Sequence, residues 1–148
     1  MSEYKATLTN EMKRCMKAGE KSRLMVVRSL LAAIKQLEID QQITLDDAQV
    51  LAVLDKALKQ RRDSFTQYTE AGREDLAAQE AAEIEVIQDF MPQPLTETEI
   101  AQMVADAVKQ VEAKTMQDMG KVMALLKPAM QGRADMAVVS QKIKASLA

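Results

Sequence analysis

The sequence predicts an all-α protein, built as a helical N-terminal domain of about four helices followed by a three-helix C-terminal domain. Three observations carry this. Hydrophobic residues make up 47% of the 148, yet aromatic and β-branched types are scarce, and the strong helix formers Ala, Leu, Met, Lys, Glu and Gln dominate. Three of the four glycines, Gly19, Gly72 and Gly132, fall where a helical pattern stops, as suits a residue that tolerates positive φ. Pro92 and Pro94 break the pattern close together, because proline cannot continue a helix and restricts the residue before it. The boundary therefore falls between domains at residues 1–94 and 95–148.

Each element has its own signal. The first helix runs from Ser2 to Ala18 and stops at Gly19; Leu8, Met12 and Cys15 lie at helical spacing, which makes Cys15 a small core residue. The second runs from Lys21 through Leu24, Val27, Leu31 and Ile34 to Ile39. Thr44 with Asp47 reads as a capping box opening the third helix, which continues through Leu51, Leu54, Leu58, Phe65 and Tyr68 to Gly72, roughly 40 Å long. A fourth helix spans Arg73 to Phe90. Thr96 with Glu99 caps the fifth, to Glu112; Thr115 with Asp118 opens a sixth that ends at Pro128; Asp135 caps the last, to Leu147.

Arg61 occupies the apolar seam of the third helix, between Leu58 and Phe65, where a charge requires a partner. The fourth helix carries Glu80 and Glu83 on its inward seam. Folding the hairpin at Gly72 sets Arg61 and Glu83 at equal distance from the turn, so a structural pair of Arg61 with Glu83 or Glu80 is expected.

Absences limit the chemistry. There is no histidine, so Ser-His-Asp and Cys-His arrangements and imidazole metal sites are excluded, and no base accompanies Cys15. Neither a phosphate loop nor a dinucleotide fingerprint occurs. No catalytic residue, metal or cofactor is therefore expected. With one cysteine, no secretory leader and no apolar run of membrane-spanning length, a cytoplasmic location without membrane contact is expected.

Charge is unevenly spread. The net charge is −2, but Lys5 to Lys35 holds eight Lys and Arg against two acids, and Ala113 to Ala148 holds six against two. Glu70 to Asp89 has seven acids and one arginine. Basic segments of this kind suit an anionic partner, although solvated charged faces produce the same pattern. With no Trp and only four aromatic residues there is no platform for stacking single-stranded bases. An RNA partner would thus be folded and held by its backbone, and DNA is not expected.

Gly120 lies inside the helical pattern that starts at Thr115, where a glycine costs roughly 1 kcal/mol against alanine. Something is expected to approach the backbone there, either another helix or a ligand. Lys121 stands beside it, with Lys127 and the Gly132-Arg133 turn following, and a phosphate backbone is one candidate.

Arg28 in Val26-Val27-Arg28-Ser29-Leu30-Leu31, Lys59-Gln60-Arg61-Arg62-Asp63-Ser64, Gly72-Arg73-Glu74-Asp75-Leu76, Glu80, Glu83, Pro92, Asp118 to Met123 and Gly132 to Asp135 occur in order along the chain. Together they resemble the GatB/YqeY family, and in particular the small stand-alone YqeY-like proteins. The resemblance implies a C-terminal domain similar to the tail of the B subunit of glutamyl/aspartyl-tRNA amidotransferase, where the tail is implicated in holding tRNA. It makes Gly120, Lys121, Met123, Gly132 and Arg133 the corresponding RNA-contacting positions, with Asp135 as helix cap, and implies association with carbon–nitrogen ligase activity using glutamine as amido-N-donor. The expected function is a tRNA-binding or tRNA-metabolism accessory role, with tRNA and an amidotransferase or other protein as partners. Two alternatives stand beside it: an adaptor whose Met-rich tail (Met116, Met119, Met123, Met130, Met136) contacts a protein, and the ligase itself.

Overall fold

The computed structural model describes residues 2–147. Among them are seven α-helices, one short 3₁₀ segment and no strand, so the fold is all-α. The chain divides into two compact units, Met1–Met91 and Pro92–Ala148.

The first unit holds α1 (Glu3–Ala18), α2 (Lys21–Gln41), α3 (Asp47–Glu70) and α4 (Glu74–Gln88). Ser2 caps α1, its hydroxyl accepting the Lys5 amide at 3.3 Å and donating to the Asp47 carboxylate at 2.6 Å. At the other end Gly19 takes φ 72° and stops the helix. Glu38 fixes the turn between α2 and α3 by accepting from the Lys5 ammonium at 2.6 Å and from the Leu45 amide at 3.0 Å. Leu45 is thereby buried outside any helix.

This arrangement corrects the capping box expected at Thr44 and Asp47. The box is Asp46 with Gln49: the Gln49 amide donates to Asp46 at 2.8 Å, and the Asp46 amide to the Gln49 side chain at 2.9 Å. Asp47 is already engaged by the Ser2 hydroxyl and, at 2.8 Å, the Glu3 amide, so it does not fold back as a cap. After α3, Gly72 with φ 74° turns the chain into α4. Leu8, Val27, Leu30, Ile34, Val50, Leu54 and Ile87 are buried together as the core of this unit. Removing one of them, as in Leu54→Ala, costs about 2–5 kcal/mol by the cavity it leaves.

The second unit holds α5 (Glu97–Gln110), the 3₁₀ segment Met116–Asp118, α6 (Met119–Met130) and α7 (Met136–Leu147). Thr96 and Glu99 form the capping box of α5 as the sequence predicts. Thr115 and Asp118 likewise form the capping box the sequence predicts, opening the 3₁₀ turn Met116–Asp118 that runs directly into α6 at Met119. The end expected at Pro128 is corrected. The helix runs through Pro128 to Met130: complete burial of Met130 holds the last turn helical although the proline lacks an N–H.

The methionines of the tail are mostly drawn into packing. Met130 is fully buried, and Met119, Met123 and Met136 pack against the core formed by Ile100, Val104, Val122, Leu126, Val139 and Ile143. Only Met116 of the five is exposed, at 46%. Four of the five thus contribute to packing this unit, as methionine's flexible side chain suits.

Candidate nucleic-acid interface

The C-terminal residues singled out in the sequence gather around the two ends of α6. At its start the Asp118 carboxylate accepts the amides of Lys114 at 2.9 Å and Thr115 at 3.2 Å. These donors hold its pKa below the ordinary aspartate value, with the charge of nearby Lys121 adding a smaller push. Asp118 thus stays ionised and fixes the turn that aims the first residues of α6.

Gly120 is the second residue of α6 and is exposed. The internal approach expected at this glycine is corrected: a Cβ placed there meets nothing within 4 Å, so no other helix crosses it. Within the described residues, its missing side chain serves no packing purpose.

Around α6, Val122, Leu126 and Met130 face the core, and Lys121, Ala124, Leu125, Lys127 and Pro128 are exposed. At 3.6 residues per turn Gly120 and Lys127, seven apart, share one stripe with Ala124 between them, whereas Lys121 lies about 120° from Lys127. The two lysines therefore flank the outer face and do not stack along it. Lys127 also sits in the last turn, where a cation meets the negative end of the helix dipole.

Gly132 and Arg133 have a structural part to play. Gly132 takes φ 77°, and the Arg133 amide reaches back to the Met130 carbonyl at 2.8 Å. The Arg133 Nε donates to the Gln93 carbonyl at 3.0 Å, and the Arg133 carbonyl accepts the Leu95 amide at 2.8 Å. This half-buried arginine ties the turn after α6 to the segment before α5. The partner of its Nε is a neutral carbonyl, so the guanidinium keeps its positive charge while it anchors this turn. Asp135 opens α7 by accepting the Ala137 amide at 2.9 Å.

In the first unit the expected pair of Arg61 with Glu80 or Glu83 is also corrected. Arg61 donates to the Ala57 carbonyl and the Ser29 hydroxyl, each at 3.2 Å, and its buried Nε has no hydrogen-bond partner. Its side chain folds back along α3 toward α2, and Glu80 feels its charge without a direct bond. Burial raises the Glu80 pKa, the Glu83 charge raises it further, and Arg61 opposes both.

The sequence reading missed a charge cluster at the junction of α1, α2 and α4. Arg23 donates to Glu11 and to Asp89, both at 2.8 Å, and stacks over the Phe90 ring at 5.4 Å. Arg14 donates to Glu11 at 2.6 Å and Glu20 at 2.8 Å. The hydrogen bonds from Arg14 and then Arg23 pull the Glu11 pKa down to about 2. Glu11, Cys15 and Glu20 bring ligand-type atoms within 4.8 Å of one another, but two guanidinium groups already neutralise those carboxylates. Burial, then the charge of Glu11, raises the Cys15 pKa, so the thiol is a poor nucleophile and a poor metal ligand. The signal was in the sequence as acids and bases spread over three helices, and no local spacing connects them.

A family model described as Yqey-like protein matches residues 5–147. The chain belongs to the YqeY-like family. Among the relatives of this YqeY-like chain is the protein named "Altered inheritance of mitochondria protein 41, mitochondrial" of Vanderwaltozyma polyspora, 33% identical over 57% of this chain and 46% of that protein. The protein of the same name in Lachancea thermotolerans is 35% identical over 60% of this chain and 48% of its own length. That of Pyrenophora tritici-repentis is 28% identical over 93% of this chain and 77% of its own. The first two matches thus span about half the length of those relatives.

These names overturn the cytoplasmic expectation, since the relatives are named as mitochondrial proteins. The reason is physical: a lone cysteine argues against a disulfide framework, and that does not distinguish the cytoplasm from an organelle interior. No helix among the described residues is long and apolar enough to cross a membrane.

Proposed function

We propose that this YqeY-like protein is an accessory factor of tRNA metabolism in which residues 95–148 act as an RNA-holding domain similar to the amidotransferase tail, while residues 1–94 form a separate helical domain. The observation that carries the reading is Gly120, an exposed glycine within a helix that nothing in its own unit approaches. A glycine there destabilises the helix by up to about 1 kcal/mol against alanine, the value for a helix interior, and open space offers no internal compensation. A phosphate backbone lying close over the first turn of α6 supplies one, with Lys121 beside the glycine and Lys127 two turns along its stripe as counter-charges. The names of the relatives support a mitochondrial setting for the proteins that carry this domain. Association with carbon–nitrogen ligase activity would then come through a partner, since the tail offers contact and no reacting group.

The test is binding of the full chain to unfractionated tRNA over a range of salt concentrations. Replacing Lys121 and Lys127 by Ala is expected to weaken binding and to lower the salt slope by about one unit per lost phosphate contact, with the thermal melt changed only by the small helix-dipole contribution of Lys127, since both side chains are exposed. Equal affinity and an unchanged slope in the double variant would overturn the reading.

A further inference from the structure

The outer face of α2 carries a regular stripe. Lys21, Met25, Arg28, Ala32, Lys35 and Ile39 follow one another at spacings of four and three, and all six are exposed. Spaced this way, residues on a helix stay on one side and present a seam over roughly 27 Å. Met25 at 71% and Ile39 at 59% are the two most exposed large hydrophobic residues described. From Lys21 to Leu37 there is no acid.

On α4 the outer face carries the opposite. Asp75, Ala78, Ala82, Glu85 and Asp89 follow at spacings of three and four and are likewise all exposed. The helix from Glu74 to Gln88 holds five acids and no base. One stripe thus combines large apolar side chains with cations, and the other combines alanines with carboxylates. The cations of the first stripe and the carboxylates of the second are of opposite sign, and Ala78 and Ala82 leave room on α4 for one large side chain such as Met25, which is complementarity of the kind a helix pair uses.

We propose that the α2 stripe of one copy of this chain docks on the α4 stripe of a second copy. The two stripes belong to the same unit, whose α2 and α4 pack together and are joined by the Arg23–Asp89 ion pair, so a two-fold arrangement makes the contact twice. Asp89 keeps Arg23 as its partner within the chain, and Asp75 keeps Arg73, leaving Glu85 as the carboxylate most available to the second copy. A membrane surface fits less well, because Arg28 and Lys35 lie within the seam where an inserting face is apolar. A nucleic acid leaves Met25 and Ile39 uncovered.

Sedimentation velocity of the full chain over a wide concentration range tests this. The wild type is expected to form a dimer that loosens as salt rises. Charge reversal by Arg28→Glu with Lys35→Glu is expected to weaken the dimer by about tenfold or more, and Asp75→Lys with Glu85→Lys to do the same. An equimolar mixture of the two variants restores pairing, since each reversed stripe then meets its complement. Circular dichroism melts confirm that both variants are folded. A wild type that stays monomeric throughout, a dimer that survives in both variants, a mixture that does not pair, or association that vanishes on nuclease treatment each overturns the proposal.

Discussion

Glu80 is a half-buried carboxylate with a second acid, Glu83, beside it and only the distant charge of Arg61 to offset the two. Its pKa is raised, so folding favours its protonated form: that contribution is present below its ordinary value of 4.5 and is lost as pH rises. Replacing it by the neutral Glu80→Gln is therefore expected to raise the melting temperature at pH 7 by roughly a few degrees, and the gain should vanish as the pH is brought below 4.5. A lower melting temperature at neutral pH would contradict this. Glu11 has the opposite sign. Held at about 2 by Arg14 and Arg23, it stabilises the fold fully above 4.5 and loses that contribution as pH falls toward 2. Glu11→Gln should accordingly be less stable than the wild type at pH 6, with the difference closing across that window in acid melts. The sequence pattern revealed that Arg61 and Glu80 sit on inward seams. It did not reveal their partners, because a long guanidinium chooses among the Ala57 carbonyl, the Ser29 hydroxyl and a carboxylate by local geometry.

Helix ends were legible where a glycine or a reciprocal cap settles them locally. Gly19 and Gly72 both take positive φ, and the Thr96–Glu99 box lies where the spacing placed it. The start of α3 was misread because Thr44–Asp47 and Asp46–Gln49 are equally good local signals, and the choice is made by Ser2, 45 residues from Asp47. Asp46→Ala should consequently cost about 1 kcal/mol in a denaturant titration, whereas Thr44→Ala should cost little. A larger loss at Thr44 would put the cap back where the sequence alone suggested. Pro128 teaches the same lesson at the other end of a helix: burial of Met130 outweighs a missing backbone donor.

For the whole molecule the charge asymmetry along the chain was legible and its use was not. Helical wheels turn the basic N-terminal segment and the acidic fourth helix into two exposed stripes, and the C-terminal cations separate around α6, with Arg133 committed to Gln93. With no histidine and a thiol raised by burial, the purified chain is expected to show no glutamine or ATP hydrolysis above that of a Cys15→Ala control. Activity that disappears in the variant would restore the enzymatic alternative. The RNA-holding account itself turns on why a glycine occupies an open helical position, and Gly120→Ala addresses that directly when stability and tRNA affinity are measured on the same full-length preparation. The account predicts a more stable protein, by about 0.5–1 kcal/mol, that binds tRNA more weakly. A variant that is more stable and binds tRNA as tightly as the wild type would contradict it.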